Sequence, residues 1–490
     1  MEWIINIKNY NNKLLIWSIV FIALITRFFF IFYAPTGGGD WDIYSTVAEN
    51  ILSGCGVSLS QPESNECIPH FGGNQGPGYP AFVALVWWLS GHSDMLVRVI
   101  QAVISVVAIM YMVKAIFLYS SSFKAAIVVG FVLAVSPLEI AWSRYLQTET
   151  LALAGTLWVF SELLISLHKS RVRIFLLSIA LIITTFIRLD AILLVAPVAV
   201  TMFMIYKPFE AIKKGIVVAI LLSLPWGAWM ARNHMVGMTK ILPQPMVAPN
   251  NAEAPSGYIK WLWTWSTETY QNTNSLWPVT RFTYDSIGID NRAYATIEEK
   301  EKVELLLSEL KLYTGKPFPK HIDNQFLRIA EERILEQPLS VWLLNPIKRS
   351  ISLWSNVYNS FGWPTELPGS FSKQVRIEIA RDGIIAAIPI ALEYPVQAIG
   401  KLFVNGWRLL VLFLFIVSLF LSYKNKINRE ILLLTLTFII ARTLFSGFGN
   451  YVETRYTLMQ MPLIEISTIV FMLSYKMRKL FNSPCNPPKN

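Results

Sequence analysis

The chain has 490 residues, of which 54% are hydrophobic and 15% are charged, and its formal net charge is +10. Soluble domains carry roughly 25% charged residues, so this composition excludes an ordinary soluble protein. The positive charge does not indicate nucleic-acid binding, because Lys and Arg cluster beside long apolar runs and form no single basic face. The pattern predicts a bundle of membrane helices.

About ten apolar segments approach the roughly 20 residues that a membrane-spanning helix needs. They are residues 14–34, 95–118, 125–138, 147–167, 174–188, 190–206, 215–231, 402–422, 431–447 and 457–475. The first is too long for a signal-peptide core and lacks a cleavage site, so we expect it to remain as a helix. Every second connection is rich in Lys and Arg, which predicts that these connections and both termini are cytoplasmic.

Two of the predicted spans are short and meet near Arg188 and Asp190. Each has about 16 residues and would cover roughly 24 Å, a little less than the hydrocarbon thickness. This hairpin therefore requires local bilayer thinning or burial within the protein. Residues 383–400 are also apolar, but a span there would place the basic cluster at residues 424–429 outside. We interpret 383–400 as an interfacial helix.

These assignments divide the chain into four parts. Residues 1–231 form a transmembrane module whose first outer loop is 35–93, and this loop contains no Lys or Arg. Residues 232–400 form an extracytoplasmic segment with interfacial helices, 401–480 form the last spans, and 481–490 form a cytoplasmic tail.

The second outer segment has its own helical patterns. Polar stretches typical of helices occur at about 296–313 and 321–336. Residues 341–357 are apolar with Lys348 and Arg349 among them, which is typical of a helix on the membrane surface. The expected fold class is thus an all-α polytopic membrane protein with a mixed, mainly α outer segment.

Charged residues collect where the predicted helices end on the outer side. Charges at or near the membrane are costly and often functional. The residues are Asp40 and Asp42 after the first span, Glu149 at the start of the fourth, Arg188 and Asp190 in the hairpin, Arg232 at the end of the seventh, and Glu453, Arg455 and Tyr456 before the tenth.

The acidic residues in this group also have structural explanations. Asp40 and Asp42 could cap the helix that starts near Tyr44, since Asp is a favoured N-cap residue. Glu149 could be interfacial or could pair with Arg144.

Structural explanations exist for the basic residues as well. Arg188 and Asp190 fit a structural ion pair more readily than a catalytic one, because both lie in a tight hairpin. Arg455 could extend its guanidinium to the lipid headgroups.

The cysteines leave two alternatives open. Cys55 and Cys67 could form a disulfide, because the outer side of a membrane is oxidising, or they could be two free thiols. The third cysteine, Cys485, lies in the tail, and the spacing of the three fits no metal site.

Carboxylates and arginines at a membrane face fit sugar transfer from a lipid phosphate. A carboxylate would take a proton from the acceptor hydroxyl, and Asp40 is our candidate. Cations would hold the departing phosphate, and we assign this to Arg455 with Arg232 and Arg188. Glu149 would orient the acceptor or hold a divalent cation with Asp40. Because cytosolic nucleotide sugars cannot reach this face, the donor should be lipid-linked.

Seven short motifs follow one another along residues 14–475. They are Gly39-Asp40 with Tyr44, Ala48 and Gly54 to Gly56; Pro77 to Phe82; Arg98 and Gln101; Ser136-Pro137 with Thr148-Glu149; Phe186 to Arg188 with Asp190; Pro225-Trp226 with Arg232-Asn233; and Glu453 with Arg455-Tyr456 and Pro462. In this order they resemble the C-type glycosyltransferase superfamily. Within it the chain is similar to the bacterial branch of protein mannosyltransferases and the aminoarabinose transferase of lipid A.

The resemblance implies a helical membrane core with juxtamembrane helices in the first outer loop, a polyprenyl-phosphate sugar donor and inversion at the anomeric carbon. It implies that Asp40 is the catalytic base and Glu149 the second acidic site residue. The expected supporting residues are Asp42, Tyr44, Tyr79, Asp190, Glu453 and Tyr456. Asp42 has no clear counterpart in the family, so its role stays open.

The partners that follow are a polyprenyl-phosphate sugar, membrane lipids, and a lipid, protein or glycan acceptor, with no nucleic acid. The need for a divalent cation stays open, and any such ion would bind at Asp40 and Glu149. The expected location is a bacterial inner membrane, with the site facing the periplasm or exterior. The second outer segment matches the family only from Gln337 to Trp354, so the acceptor is undetermined.

Two other functions compete with this one. A lipid-oligosaccharide transporter should place charge near the bilayer midplane in broken helices related by a repeat, whereas here the charge collects at one face. A surface-polysaccharide polymerase would also act at the outer face, but it should lack the early Asp40 motif.

Overall fold

The computed structural model describes residues 10–34, 40–59, 67–70, 76–238, 254–357, 362–364, 384–424, 428–450 and 452–481. Gly39 of the first motif, and the tail from residue 482 with Cys485, lie outside the described residues. Within the described ranges every regular element is helical, and β pairing is limited to an isolated bridge between Ser58 and Pro69.

Ten helices make up the described chain as far as residue 235. They are α1 (Tyr10–Tyr33), α2 (Trp41–Leu52), α3 (Gly78–Ser90), α4 (Asp94–Ser120), α5 (Phe123–Val135), α6 (Pro137–Ile140), α7 (Glu149–Lys169), α8 (Ile174–Ile187), α9 (Val195–Ile205) and α10 (Pro208–Met235). A 3-10 turn, Ala141–Arg144, extends α6, and another, Leu189–Leu194, precedes α9.

The remaining described helices fall into an intermediate group and a final apolar group. The first group is α11 (Ser256–Trp265), α12 (Thr269–Ser275), α13 (Trp277–Thr280), α14 (Ile297–Lys311), α15 (Lys320–Glu336) and α16 (Asn345–Ser355). The final group is α17 (Ile384–Glu393), α18 (Pro395–Lys424), α19 (Arg429–Gly449) and α20 (Met461–Phe481), with a 3-10 turn at Thr454–Gln460 before α20.

Seven of these helical segments are long and apolar enough to cross a membrane, and the bent pair α5–α6 would be the eighth. The two remaining predicted spans, 174–188 and 190–206, form the shorter apolar helices Ile174–Ile187 and Leu189–Ile205. In its described residues the chain is therefore an all-helical, multi-pass membrane protein with seven or eight candidate spans, fewer than the ten predicted.

The bend between α5 and α6 follows from one proline. Ser136 is extended (ψ 119°) because a residue before proline avoids the helical region, and Pro137 then begins α6. The two helices are bent by 44°. The bend carries Glu139 to Arg27 of α1, and their side chains form a buried ion pair of 3.1 Å.

The predicted interfacial helix at 383–400 is divided in the structure. Its first part forms α17, and its second part is the start of α18, which continues to Lys424. Pro395 explains the division, because proline fits the first turn of a helix but lacks the N–H that would continue the preceding one.

The two polar helices predicted in the second outer segment are confirmed as α14 and α15. With α11 they enclose a separate apolar core around Trp261 and Phe326, which are fully buried. α11 and α15 lie in close contact at Gly257, where a Cβ atom would be 2.0 Å from the carbonyl oxygen of Asp323.

The predicted surface helix at 341–357 corresponds to α16, but the placement of Arg349 was wrong. Arg349 is fully buried and donates to the carbonyl oxygens of Trp263, Ser266 (2.9 Å) and Gly447 (3.1 Å). Lys348 is exposed. Because the three carbonyls satisfy the guanidinium, Arg349 joins α16 to α11 and α19.

Candidate active site

An ion pair joins the start of α7 to the end of α8. Arg188 follows α8 in an extended conformation, and its Nη1 lies 3.0 Å from Glu149 Oε1 and 3.2 Å from the Thr148 hydroxyl. Both side chains are buried. The alternative in which Glu149 pairs with Arg144 is not observed, because Arg144 donates to the Gly362 carbonyl and the Tyr145 hydroxyl.

The ion pair between Arg188 and Asp190 is present and extends further than predicted. Arg188 Nε lies 3.0 Å from Asp190 Oδ1, and Arg442 Nη2 of α19 lies 2.9 Å from Asp190 Oδ2. Sequence reasoning missed Arg442, which is almost completely buried. The sequence did contain an indication of this role, because Arg442 lies inside the predicted span 431–447 and a charged residue inside a span rarely lacks a partner.

A second ion pair comes from the segment before α20. Arg455 Nε lies 2.8 Å from Glu453 Oε2, and the Arg455 side chain is 21% exposed. The guanidinium groups of Arg188 and Arg455 lie 5.9 and 5.7 Å from the centre of the Tyr456 ring. Both cations therefore lie within cation–π distance of one ring, which stabilises them.

Asp40 occupies the N-cap position of α2, but its side chain makes no capping hydrogen bond. Capping therefore does not explain this residue. Asp42 lies in the first turn of α2 and is exposed. Asp40 is close enough to Tyr44, Glu453 and Arg455 to act on all three electrostatically.

The two tyrosines of the first outer loop are buried and pack edge to face, at an interplanar angle of 73°. Burial, with the Asp40 and Glu149 carboxylates, raises the pKa of Tyr44 well above its usual value, so its hydroxyl stays protonated. The rings of Tyr44 and Tyr79 are 5.0 Å apart, and Tyr79 donates to Gln101 at 2.8 Å.

The structure thus brings most of the predicted site residues into one group, which we call the charged cluster. Its members are Asp40, Tyr44, Glu149, Arg188, Glu453, Arg455 and Tyr456, supported by Asp190 and Arg442. Burial raises the pKa of Glu453, Arg455 opposes this, and the Asp40 and Glu149 carboxylates add to the increase. The carboxylates of Glu453, Asp40 and Glu149 thus all act electrostatically on Arg455.

Arg232 does not join the charged cluster, in contrast to its predicted role in phosphate binding. It donates to the carbonyl oxygens of Val57 (2.7 Å) and His70 (2.9 Å) in the first outer loop. Two and three residues before these contacts, Cys55 and Cys67 form a disulfide, one of the two alternatives left open. Arg232 therefore fixes the disulfide-closed loop to α10.

Within the described ranges no group of three or more His, Cys, Asp or Glu side chains is arranged to hold a metal ion. A cation held by Asp40 and Glu149 alone stays a prediction. Metal ions usually bind more protein ligands than two carboxylates, unless substrate phosphates supply the others.

An apolar cavity of about 830 Å³ lies between α3, α4, α7 and α8. Its wall includes Leu151 of α7 and Ile187, the residue directly before Arg188. Leu85 and Val107, which also line it, are 54% and 55% exposed, so the cavity reaches the outer surface of the helix bundle. It is therefore open at the outer surface of the bundle, and its wall adjoins the charged cluster through Ile187, while no member of the cluster lines it.

No family model and no curated protein matches the chain. Among solved structures, ArnT from Cupriavidus metallidurans in the apo state is similar, with a TM-score of 0.38 and 12% identity over 92% of this chain and 76% of that chain. The same protein bound to undecaprenyl phosphate has a TM-score of 0.39 and 12% identity over 93% and 77%.

Proposed function

We propose that this protein transfers a sugar from a polyprenyl-phosphate donor to an acceptor on the extracytoplasmic side of the membrane. The observation that carries the proposal is the apolar cavity whose wall adjoins the charged cluster. A donor of this class has a long apolar chain joined to an anionic head, so its two parts match these two environments.

Arg455 is the best candidate for holding the donor phosphate. Its side chain is partly exposed. Its ion-pair partner Glu453 has a raised pKa, so this carboxylate is protonated more easily than an ordinary glutamate. A guanidinium binds phosphate through paired, charge-assisted hydrogen bonds that strengthen as charge develops on the leaving group. Arg188 already contacts two carboxylates, so we assign it the positioning of Glu149.

Asp40 is the proposed base. It takes the proton from the acceptor hydroxyl, the oxygen forms a bond to the anomeric carbon, and the bond from that carbon to the phosphate oxygen breaks. The lipid phosphate leaves with the electron pair and stays next to Arg455. A single displacement of this kind inverts the anomeric configuration.

The proposed sidedness follows from the Lys- and Arg-rich connections between the spans. We place residues 35–93 and 232–400 outside the cytoplasm, with the site facing the periplasm or exterior of a bacterial inner membrane. A cysteine replacing the exposed Lys311 on α14 should react with a membrane-impermeant thiol reagent in intact cells. Reaction only after lysis would show that the orientation is the reverse of the one proposed.

The function is tested with purified full-length protein, radiolabelled polyprenyl-phosphate sugars and membrane extracts as acceptor. We expect a labelled product, and a rate lowered about a hundredfold or more in Asp40→Asn, because a general base contributes roughly that factor. The matched control is Asp42→Asn, which removes the exposed neighbouring carboxylate and should lower the rate less than about threefold. The absence of transfer with every donor would overturn the proposal. A wild-type transfer rate in Asp40→Asn would show that Asp40 is not the base.

A further inference from the structure

A second cavity, of about 670 Å³, lies between α11, α12, α15 and α16. None of the residues that line it belongs to the charged cluster. Its wall is mostly amide, hydroxyl and charged side chains, among them Gln271, Arg292, Gln337, Asn345, Lys348 and Ser352. We call it the polar cleft.

Three polar groups on the wall of the polar cleft have no hydrogen-bond partner in the described part of the chain. They are the indole N–H of Trp265, the Nε–H of Arg333 and the hydroxyl of Ser352. Trp265 and Arg333 are 7% and 5% exposed. These three atoms are themselves buried, and a buried donor without a partner costs roughly 1–3 kcal/mol, so a rotation of these side chains towards acceptor oxygens in the cleft would be stabilising.

The cleft also has one positive charge without an ion-pair partner among the described residues. Arg333 pairs with Glu299 at 2.6 Å, and Arg292 pairs with Glu268 at 3.1 Å. Lys348 is exposed and has no ion pair with any described residue. An anionic ligand would therefore meet an uncompensated ammonium group at Lys348.

The wall composition favours a carbohydrate over other anions. Amide and hydroxyl side chains both donate and accept hydrogen bonds, which matches the dual character of sugar hydroxyls. Trp265 and Tyr294 add aromatic surface, against which the C–H faces of a sugar ring can pack. A lipid chain would instead need a wall that is largely apolar.

The polar cleft is connected to the segment that carries Arg455. The Thr269 hydroxyl donates to the Val452 carbonyl at 3.0 Å, and the Asn272 amide donates to the Asn450 carbonyl at 3.2 Å. α12, which forms part of the cleft wall, is therefore fixed directly to the chain preceding Glu453.

We propose that the polar cleft binds an acidic carbohydrate, and that this carbohydrate is part of the acceptor. The second half of the proposal rests on the transferase function proposed above. The binding half does not, so the two can be tested separately.

The test is calorimetric titration of the full-length protein in detergent at low salt, with hexagalacturonate as the acidic probe and maltohexaose as the neutral one. We expect hexagalacturonate to bind with a Kd below about 1 mM and maltohexaose at least about tenfold more weakly. Lys348→Gln should weaken binding of the acidic probe about fivefold, since an exposed ion pair contributes up to about that factor.

The matched control is Lys311→Gln, which removes the same charge from an exposed position on α14 outside the cleft. We expect its Kd to stay within about twofold of the wild-type value. Equal binding of the two probes, no binding of hexagalacturonate, or equal weakening by both lysine variants would overturn the proposal.

Asp40→Asn separates this proposal from the proposed function. It should lower the transfer rate about a hundredfold or more and leave hexagalacturonate binding unchanged. If the wild-type protein transfers no sugar but binds the acidic probe in a Lys348-dependent way, only the proposed function fails. If transfer occurs and Lys348→Gln alters neither the Kd of the probe nor the KM for the acceptor, only the cleft proposal fails.

Discussion

Glu149 and Arg188 come from different helices, yet Oε1 of one lies 3.0 Å from Nη1 of the other. Glu149 is the first residue of α7, and Arg188 is the residue at which α8 ends. Because both side chains are buried, their charges interact strongly, and breaking the pair would leave a buried charge uncompensated. This contact fixes the short hairpin against the start of α7 and so gives the charged cluster a rigid wall.

The close packing of α3 on α8 gives a first prediction. A Cβ atom on Gly78 would lie 2.6 Å from the carbonyl carbon and oxygen of Phe186. Gly78→Ala must push α3 away from α8 and carry Tyr79 with it. We expect a loss of roughly 1–3 kcal/mol in unfolding free energy and a reduced transfer rate, measured by thermal unfolding in detergent and by the transfer assay.

Gly215→Ala is the control for this prediction. Gly215 lies in α10 with nothing within 4 Å of the added Cβ, so alanine should be neutral or stabilising by up to about 1 kcal/mol. Equal effects of the two substitutions would contradict the packing argument.

The ion pair between Asp190 and Arg442 gives a second prediction. Arg442→Met removes one of the two cations that hold Asp190, and should lower the free energy of unfolding by about 3–5 kcal/mol. The double variant Asp190→Asn/Arg442→Met should lose less unfolding free energy than the two single variants lose together, because neither charge is then left without its partner. The free energy of unfolding is measured in mixed detergent micelles for the wild type, the two single variants and the double variant. Strictly additive losses of this free energy would argue against the ion pair.

The disulfide gives a third prediction. The chain has three cysteines, so a maleimide–polyethylene glycol reagent should label the denatured protein once before reduction, at Cys485, and three times after reduction. Cys55→Ser should give two labels without reduction. It should also cost about 3 kcal/mol of stability, because the bond closes a loop of 12 residues. Three labels on the unreduced wild-type protein would disprove the bond.

His70 gives a fourth prediction, on pH. Burial, with the nearby Arg232, lowers the pKa of His70 from 6.5 to about 4. The unfolded chain therefore binds a proton between these pH values that the folded chain does not, so stability falls as the pH drops from 6.5 towards 4. The loss from this group should reach roughly 3 kcal/mol.

His70→Asn should flatten this pH dependence, because it removes the imidazole and keeps the backbone bonds to Val57 and Arg232. The measurement is the free energy of unfolding at pH 7 and pH 4.5 for both proteins. An equal decrease in the two would assign the effect to other groups.

The helices themselves were largely predictable. A span must satisfy its own backbone hydrogen bonds in lipid, so its apolar run alone identifies it, as for α4 and α7. The hairpin was predicted to be short, and α8 and α9 are short. The polar helices α14 and α15 were also predicted correctly. The charged residues Asp40, Glu149, Arg188 and Arg455 were predicted to converge, because each lies at the same end of its span.

The partners of those residues could not be predicted. The sequence determined which helices form and which charges lie at one end of the bundle, because both depend on the local composition of each segment. Only the tertiary structure decided that Asp190 binds Arg442, that Arg349 is buried, and that Arg232 binds the loop near the disulfide instead of joining the charged cluster. Such contacts depend on how each helix is rotated and packed against its neighbours, and that is set by the whole bundle.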